Sequence, residues 1–266
     1  TIECLKEFSN NQTIVINAIK KNAQGIEELN PAGKLIVWAN DQTKRKKKKA
    51  LLVDVKTAVG GVGPAQGNSS GQSTLFNQYL KQALIETEID TMILDVSSDP
   101  NFQPGGYYEN SGQIAAFYED ATKAPKGFVS MEQYLHKKLK QQLKSVNPKN
   151  ENKYDSVFKA FYIGEHGGCL DTFGNIKALG GYSSPTGTKD VVLFPGKTDQ
   201  TAAHEFLHSF GLPHSFTNKE AVNGNNAFCT FEYAKTENLM DYSHLKGNPR
   251  YNIWHWQWKV ANNSVK

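Results

Sequence analysis

Residues 201–214 read TAAHEFLHSFGLPH, and no other segment constrains the fold as tightly. At about 100° per residue, a helix here places His208 about 40° and Glu205 about 100° from His204. Ala203, Phe206, Leu207 and Phe210 share the opposite arc. Such a helix buries an aliphatic and aromatic stripe and turns two imidazoles and a carboxylate to its other side. Thr198 or Asp199 offers an N-cap after the Pro195-Gly196 break. Gly211 can take the left-handed conformation that ends a helix, and Pro213 prevents its continuation. The chain must then turn sharply, which can return His214 to the side of His204 and His208.

The pattern HExxHxxGxxH is expected by chance only about 2 × 10⁻⁵ times in a chain of this composition. Three neutral imidazoles with one open position suit a catalytic Zn²⁺ site, and an all-histidine set favours zinc over Mg²⁺. His204, His208 and His214 are the candidate metal ligands. Glu205 is placed to take a proton from an attacking water and deliver it to a leaving amine. Water then attacks a peptide carbonyl directly, with no acyl-enzyme. His136, His166, His244 and His255 have no ligand spacing to one another.

With these residues the chain resembles the metzincin metallopeptidases, whose extended motif is followed by a Met-turn. The corresponding run is Asn238-Leu239-Met240-Asp241-Tyr242, with Met240 26 residues beyond His214. The resemblance implies that Met240 is a structural base beneath the metal and not a ligand. Tyr242 resembles the tyrosine that in astacins and serralysins can donate a hydrogen bond to the tetrahedral intermediate; a structural tyrosine of the turn is the alternative. Ser215, directly after the third histidine, follows the matrixin pattern instead.

The implied fold is α+β, a mixed five-stranded twisted sheet with a backing helix and a zinc helix. A small irregular C-terminal subdomain ends in a helix. On this reading residues 50–266 are the catalytic domain, divided into 50–214 and 215–266. The implied activity is zinc-dependent endopeptidase, acting on an extended protein or peptide and secreted or extracellular. A structural Ca²⁺, as in many metzincins, would have Asp171 and Asp190 as candidates, although no calcium-loop pattern is present.

The strand and helix candidates fit this order: KALLVDVKTAV, an amphipathic helix over 73–86, TMILDVSSD, VFKAFYIG, IKALGGYS and DVVLFPG. Strand, helix, strand at the start suggests a parallel βαβ unit. By the resemblance, IKALGGYS is the antiparallel edge strand that receives substrate. Met131, Leu135, Leu139 and Leu143 mark a further helix with a lysine-rich outer face, inside an insert over 100–150 that the minimal fold lacks. Ile253, Trp254 and Trp258 have the spacing of core anchors on a C-terminal helix.

Residues 1–49 lie outside the resemblance. Asn30 to Gly33 break the chain, and KLIVWAN is expected to pair with KALLVDVKTAV as a hairpin. Its tip would then be Lys44, Arg45, Lys46, Lys47, Lys48 and Lys49. These six charges exceed the net charge of +4, so the rest of the chain is slightly acidic and no nucleic-acid surface is indicated. Contact with an anionic surface through the lysine run is the alternative role, in a secreted effector or surface-binding module whose zinc site is latent. With 38% hydrophobic and 21% charged residues the chain is a folded one. Its longest strongly apolar run, residues 35–39, is far below the roughly 20 residues of a membrane span, and no secretory leader is legible at its start. Cys4, Cys169 and Cys229 are too few for a disulfide scaffold.

Overall fold

The computed structural model describes residues 6–183, 188–218 and 227–265, so Cys4 lies outside the described residues. The chain divides into two compact units, Thr1–Lys46 and Lys47–Lys266. No helix among the described residues is long and apolar enough to cross a membrane.

The first unit is a two-stranded antiparallel ribbon of β1 (Gln12–Lys21) and β2 (Glu27–Val37). Asn22 closes its turn, with Oδ1 accepting from the Gln24 and Ile26 amides at 3.0 Å each. The expected break at Asn30 to Gly33 does not occur. Ile16 faces Gly33 and Asn17 faces Pro31, so the strand passes this point by a bulge at Ala32. An edge position with a bulge tolerates a proline that cannot donate to the ladder.

The hairpin expected between KLIVWAN and KALLVDVKTAV is also not formed. Lys34 to Val37 pair with β1, whereas Lys46–Lys49 open strand β3 (Lys46–Thr57) of the main sheet. The lysine run is therefore not a hairpin tip. Arg45 pairs with Glu7 at 2.7 Å and Lys47 with Glu88 at 3.7 Å, which leaves less free charge than the sequence suggests.

The second unit is mixed α and β. After β3 come β4 (Ala65–Gln66), α1 (Gln72–Leu80) and β5 (Ile85–Asp95). Helix α1 is shorter than expected, because Leu84 takes a left-handed conformation (φ 54°) that redirects the chain into β5. The insert contributes β6 (Glu109–Asn110), β7 (Gln113–Tyr118) and α2 (Met131–Val146). Then follow β8 (Phe158–Ile163), β9 (Gly167–Leu170), β10 (Ile176–Ala178), β11 (Gly181–Ser183) and β12 (Asp190–Leu193). Helices α3 (Thr201–Ser209) and α4 (His255–Ser264) complete the four among the described residues.

The main sheet runs β11, β12, β8, β3, β4, with β5 also paired to β3. β8 is parallel to both β3 and β12, and β11 is an antiparallel edge. IKALGGYS is thus two strands. Ile176–Ala178 pairs with β9 in a second sheet of order β10, β9, β7, β6, and only Gly181–Ser183 forms the edge of the main sheet.

Alternation along the central strands splits the core between two faces. Leu52, Ala160, Val191 and Leu193 pack on one face with Phe76 and Leu80 of α1 and Phe206 and Leu207 of α3. Leu51, Val53, Phe161 and Val192 pack on the other with Met131, Leu135 and Leu139 of α2. With both faces covered, every residue of β8 is buried, including Lys159. Its ammonium is paired with Asp190 at 2.9 Å and donates to the Tyr154 and Val157 carbonyls, which compensates the burial of the charge. Three of the four lysines of α2 are likewise paired, Lys138 with Asp99, Lys140 with Asp155 and Lys144 with Glu151, while Lys137 is exposed.

Because α2 is fixed by packing rather than by surface ion pairs, Leu135→Ala is expected to destabilise the protein by about 2–5 kcal/mol. Lys137→Ala on the exposed face should stay within about 0.5 kcal/mol of the parent. Urea unfolding of the two variants checks this; equal effects would show that the insert does not contribute to the core.

Candidate metal centre

The segment from Thr201 forms α3 as its periodicity requires. Ala202, Ala203, Phe206 and Leu207 are buried, and the Phe206 ring lies 4.2 Å from that of Phe158 and 5.3 Å from that of Phe76. The N-cap is Gln200, with no side-chain cap, rather than Thr198 or Asp199. Thr198 instead contacts the Thr201 hydroxyl at 3.0 Å, one turn later. At the other end Gly211 has φ 83°, and the amides of Gly211 and Leu212 bond back to the carbonyls of His208 and Leu207. That left-handed turn folds the chain back, as Gly211 allows.

The turn brings the three histidines together. The ring of His214 lies 4.6 Å from that of His208 and 5.3 Å from that of His204, and all three side chains are at least nine-tenths buried. One ligand nitrogen from each lies within 4.8 Å of the others. Among the described residues this is the only group of three or more metal-ligating side chains so gathered. Asp171 and Asp190 do not converge on a cation site. Asp171 closes its own turn by accepting the Phe173 and Asn175 amides, and Asp190 is engaged by Lys159 and His136. Cys169 is buried and Cys229 exposed, both as free thiols.

The tautomers are set from outside the cluster. His204 Nδ1 lies 2.7 Å from the Leu239 carbonyl oxygen and His208 Nδ1 2.7 Å from that of Leu212. A carbonyl can only accept, so each Nδ1 carries the proton and each Nε2 a lone pair. Those two Nε2 atoms face each other 3.1 Å apart. Burial first, then the neighbouring histidines and Arg250, hold His204 well below the usual imidazole range. A shared proton is thus disfavoured, and the converging lone pairs fit a metal ion. Nitrogen ligands of a tetrahedral metal at about 2.05 Å lie about 3.3 Å apart, close to this spacing. The Asn218 amide reaches His214 Nδ1 at 2.7 Å and serves as its outer partner when its oxygen faces the ring.

The 238–242 turn is built into this cluster. Leu239 supplies the carbonyl to His204, and the Met240 carbonyl accepts the amide of Ser215, next to His214. Met240 is fully buried in the core that includes Phe206 and Leu207. Asn238 Oδ1 takes the Met240 amide at 2.9 Å, while its Nδ2 donates to Gln257 of α4 at 2.7 Å. Tyr242 lies with its ring 4.8 Å from that of His214 and 5.7 Å from that of His204. Glu205, 8% exposed, follows His204 on the helix.

Two buried groups here have no signature in the motif. Asp241 accepts from the amides of Ala234, Thr236 and Tyr242 and from the Thr236 hydroxyl, which fixes the turn. Arg250, 2% exposed, donates to the Asp241 carbonyl at 2.9 Å and to the Thr198 hydroxyl at 3.1 Å. It ties the turn to the start of α3. Burial pulls its pKa down, opposed by Tyr242, Glu205 and Asp241, which places all three in its field. Only the acidic residue beside Met240 gave any hint, and a lone arginine after Asn248-Pro249 gave none.

The three imidazoles can hold a metal ion, and the chain is expected to bind one divalent ion. Saturation at 1,000 times the dissociation constant should add about 4 kcal/mol of stability. Asn218→Ala is expected to weaken binding about 10–100-fold and His214→Ala by more, in competition with a chromogenic chelator. Unchanged affinity in His214→Ala would remove that residue from the ligand set. Comparison with protein-family models, curated protein sequences and solved structures returned no match.

Proposed function

We propose that the chain is a zinc-dependent endopeptidase of metzincin type. The observation that carries this reading is the convergence of three buried imidazoles beside Glu205 and Tyr242 over a turn centred on Met240. The sheet with its antiparallel edge β11, and α1 and α3 on one face, supports it too. An all-imidazole set suits zinc.

His204, His208 and His214 would hold the zinc. When bound, zinc supplies Lewis-acid polarisation of a carbonyl and brings the pKa of water down to about 7. The protein's own groups do the rest. Glu205 takes the proton from the attacking water and passes it to the leaving nitrogen, so that base and acid are one carboxylate used twice. The Tyr242 hydroxyl donates a hydrogen bond to the oxyanion as the carbonyl becomes tetrahedral. Arg250 holds the turn that carries Tyr242 against α3 through the Asp241 carbonyl and Thr198. The substrate is an extended protein or peptide segment whose backbone pairs with the open edge of β11.

Glu205→Ala is expected to keep the metal and the fold and to lose about 10²–10⁴-fold in kcat. The test is incubation of both proteins with a complex peptide library and identification of new termini by mass spectrometry. Cuts by the parent alone, abolished by a zinc chelator, are the expected result; near-parental cutting by Glu205→Ala would overturn the mechanism. Tyr242→Phe should lower kcat about 10²-fold with little change in KM. An unchanged kcat would leave Tyr242 as a structural residue of the turn.

A further inference from the structure

Beside the outer edge of the main sheet lies a cavity of about 530 Å³ that the metal site does not use. Phe117 and Tyr118 of β7 and Phe128 line it with aromatic surface, and the exposed Lys126 also borders it. Its two buried members are Glu132 of α2, 3% exposed, and Tyr182 of β11, 7% exposed. The Glu132 carboxylate accepts the Tyr182 hydroxyl at 2.8 Å and the Ser130 hydroxyl at 2.5 Å. Burial and the nearby Glu132 hold the Tyr182 phenol well above its usual range, so it remains a donor. Of the other charges of α2, Lys138, Lys140 and Lys144 pair with Asp99, Asp155 and Glu151 and His136 with Asp190, while the exposed Lys137 borders a different cavity. Among the described residues no cation forms an ion pair with Glu132. A buried carboxylate without a counter-charge, surrounded by aromatic rings, favours entry of a cation.

The edge strand determines what can reach it. The Phe194 amide donates to the Gly180 carbonyl at 3.0 Å, and Tyr182 faces Val192. This parity turns the backbone groups of Gly180 and Tyr182 toward β12 and those of Gly181 and Ser183 outward. On the side of α3, a Cβ at Gly181 would meet Leu193 and Thr201. Tyr182 points to the opposite face, among Phe117, Phe194 and Glu132. A peptide strand added along β11 therefore places the residue facing Tyr182 with its side chain on the cavity side.

We infer that this cavity is a pocket for the lysine or arginine side chain of an extended peptide paired along β11. It rests on the peptidase reading for the identity of that peptide as substrate. The long aliphatic stem packs along Phe117, Tyr118 and Phe128, and the cationic head meets the Glu132 carboxylate. The insert over 100–150 thereby gives the protein a basic-residue subsite separate from the metal.

The test uses fluorescent pools of degenerate heptapeptides with a fixed central residue, bound to the Glu205→Ala protein and read by anisotropy. Pools fixed as Lys or Arg should bind at least about tenfold more tightly than pools fixed as acetyl-lysine or Met. Glu132→Gln should bring that ratio close to one. Equal affinity for lysine and acetyl-lysine pools, a ratio that survives Glu132→Gln, or no binding of any pool would overturn the assignment. The lysine against acetyl-lysine comparison needs no variant of the pocket and decides the matter even where Glu132→Gln fails to fold. Selective binding without cleavage by the parent would leave the pocket standing and the peptidase reading refuted. Cleavage with no basic preference in either assay would do the reverse.

Discussion

Two imidazole lone pairs held 3.1 Å apart in a buried site repel each other, and the fold is arranged to impose that contact. The Leu239 and Leu212 carbonyls fix the Nδ1 protons of His204 and His208, so neither ring can relieve the repulsion by exchanging tautomers. Burial suppresses the other relief, protonation of His204. A bound cation would relieve the repulsion, and three converging imidazoles could hold one. Pre-organisation of this kind moves the cost of assembling the ligands from the moment of metal binding to the folding of the chain.

That cost is spread over elements far apart in sequence. Two ligands come from α3, the third from beyond the Gly211 turn, and the carbonyl that orients His204 from residue 239. The 238–242 turn is in turn fixed by Asp241, by Arg250 and, through Asn238, by Gln257 on the C-terminal helix. Helix α3 is meanwhile pressed against the sheet by the Phe76, Phe158 and Phe206 rings. The bonds from His204 to Leu239, from Ala234 to Asp241, from Arg250 to Asp241 and from Asn238 to Gln257 are buried, so breaking any of them leaves an unsatisfied group next to the histidines.

Local patterns account for what could be read beforehand. The α3 helix, its glycine stop, α2 and the buried strands β8 and β12 all follow from periodicity or from a single residue with a restricted backbone. The failures share a different cause. Pro31 and Gly33 looked like a chain break, yet a bulge in a two-stranded ribbon accommodates both. The lysines of residues 46–49 looked like a solvated tip, yet the strand they open is defined by Ala50 to Val55 pairing with β8. IKALGGYS looked continuous, yet its halves pair with β9 and β12 in different sheets. Pairing partners are long-range facts, and neither hydropathy nor charge along one segment encodes them. Asp241 and Arg250 were hidden for the same reason: a buried charge is identified by its partners, which reach as far as 52 residues away.

The insert over 100–150 shows how an added segment changes what an edge strand can recognise. An isolated antiparallel edge offers backbone groups at Gly181 and Ser183 and little discrimination between sequences. Covering the opposite face of the sheet with α2 and β7 leaves Tyr182 beneath a cavity rather than open to water. Specificity along β11 then depends on alternate positions, one side facing α3 and the other facing Glu132 and the aromatic rings. On the proposed reading, the metal centre and the pocket would be linked through the substrate backbone. Selection of sequence could then vary with the insert while the metal ligands His204, His208 and His214 stay unchanged, because α3 and α2 pack on opposite faces of the same sheet.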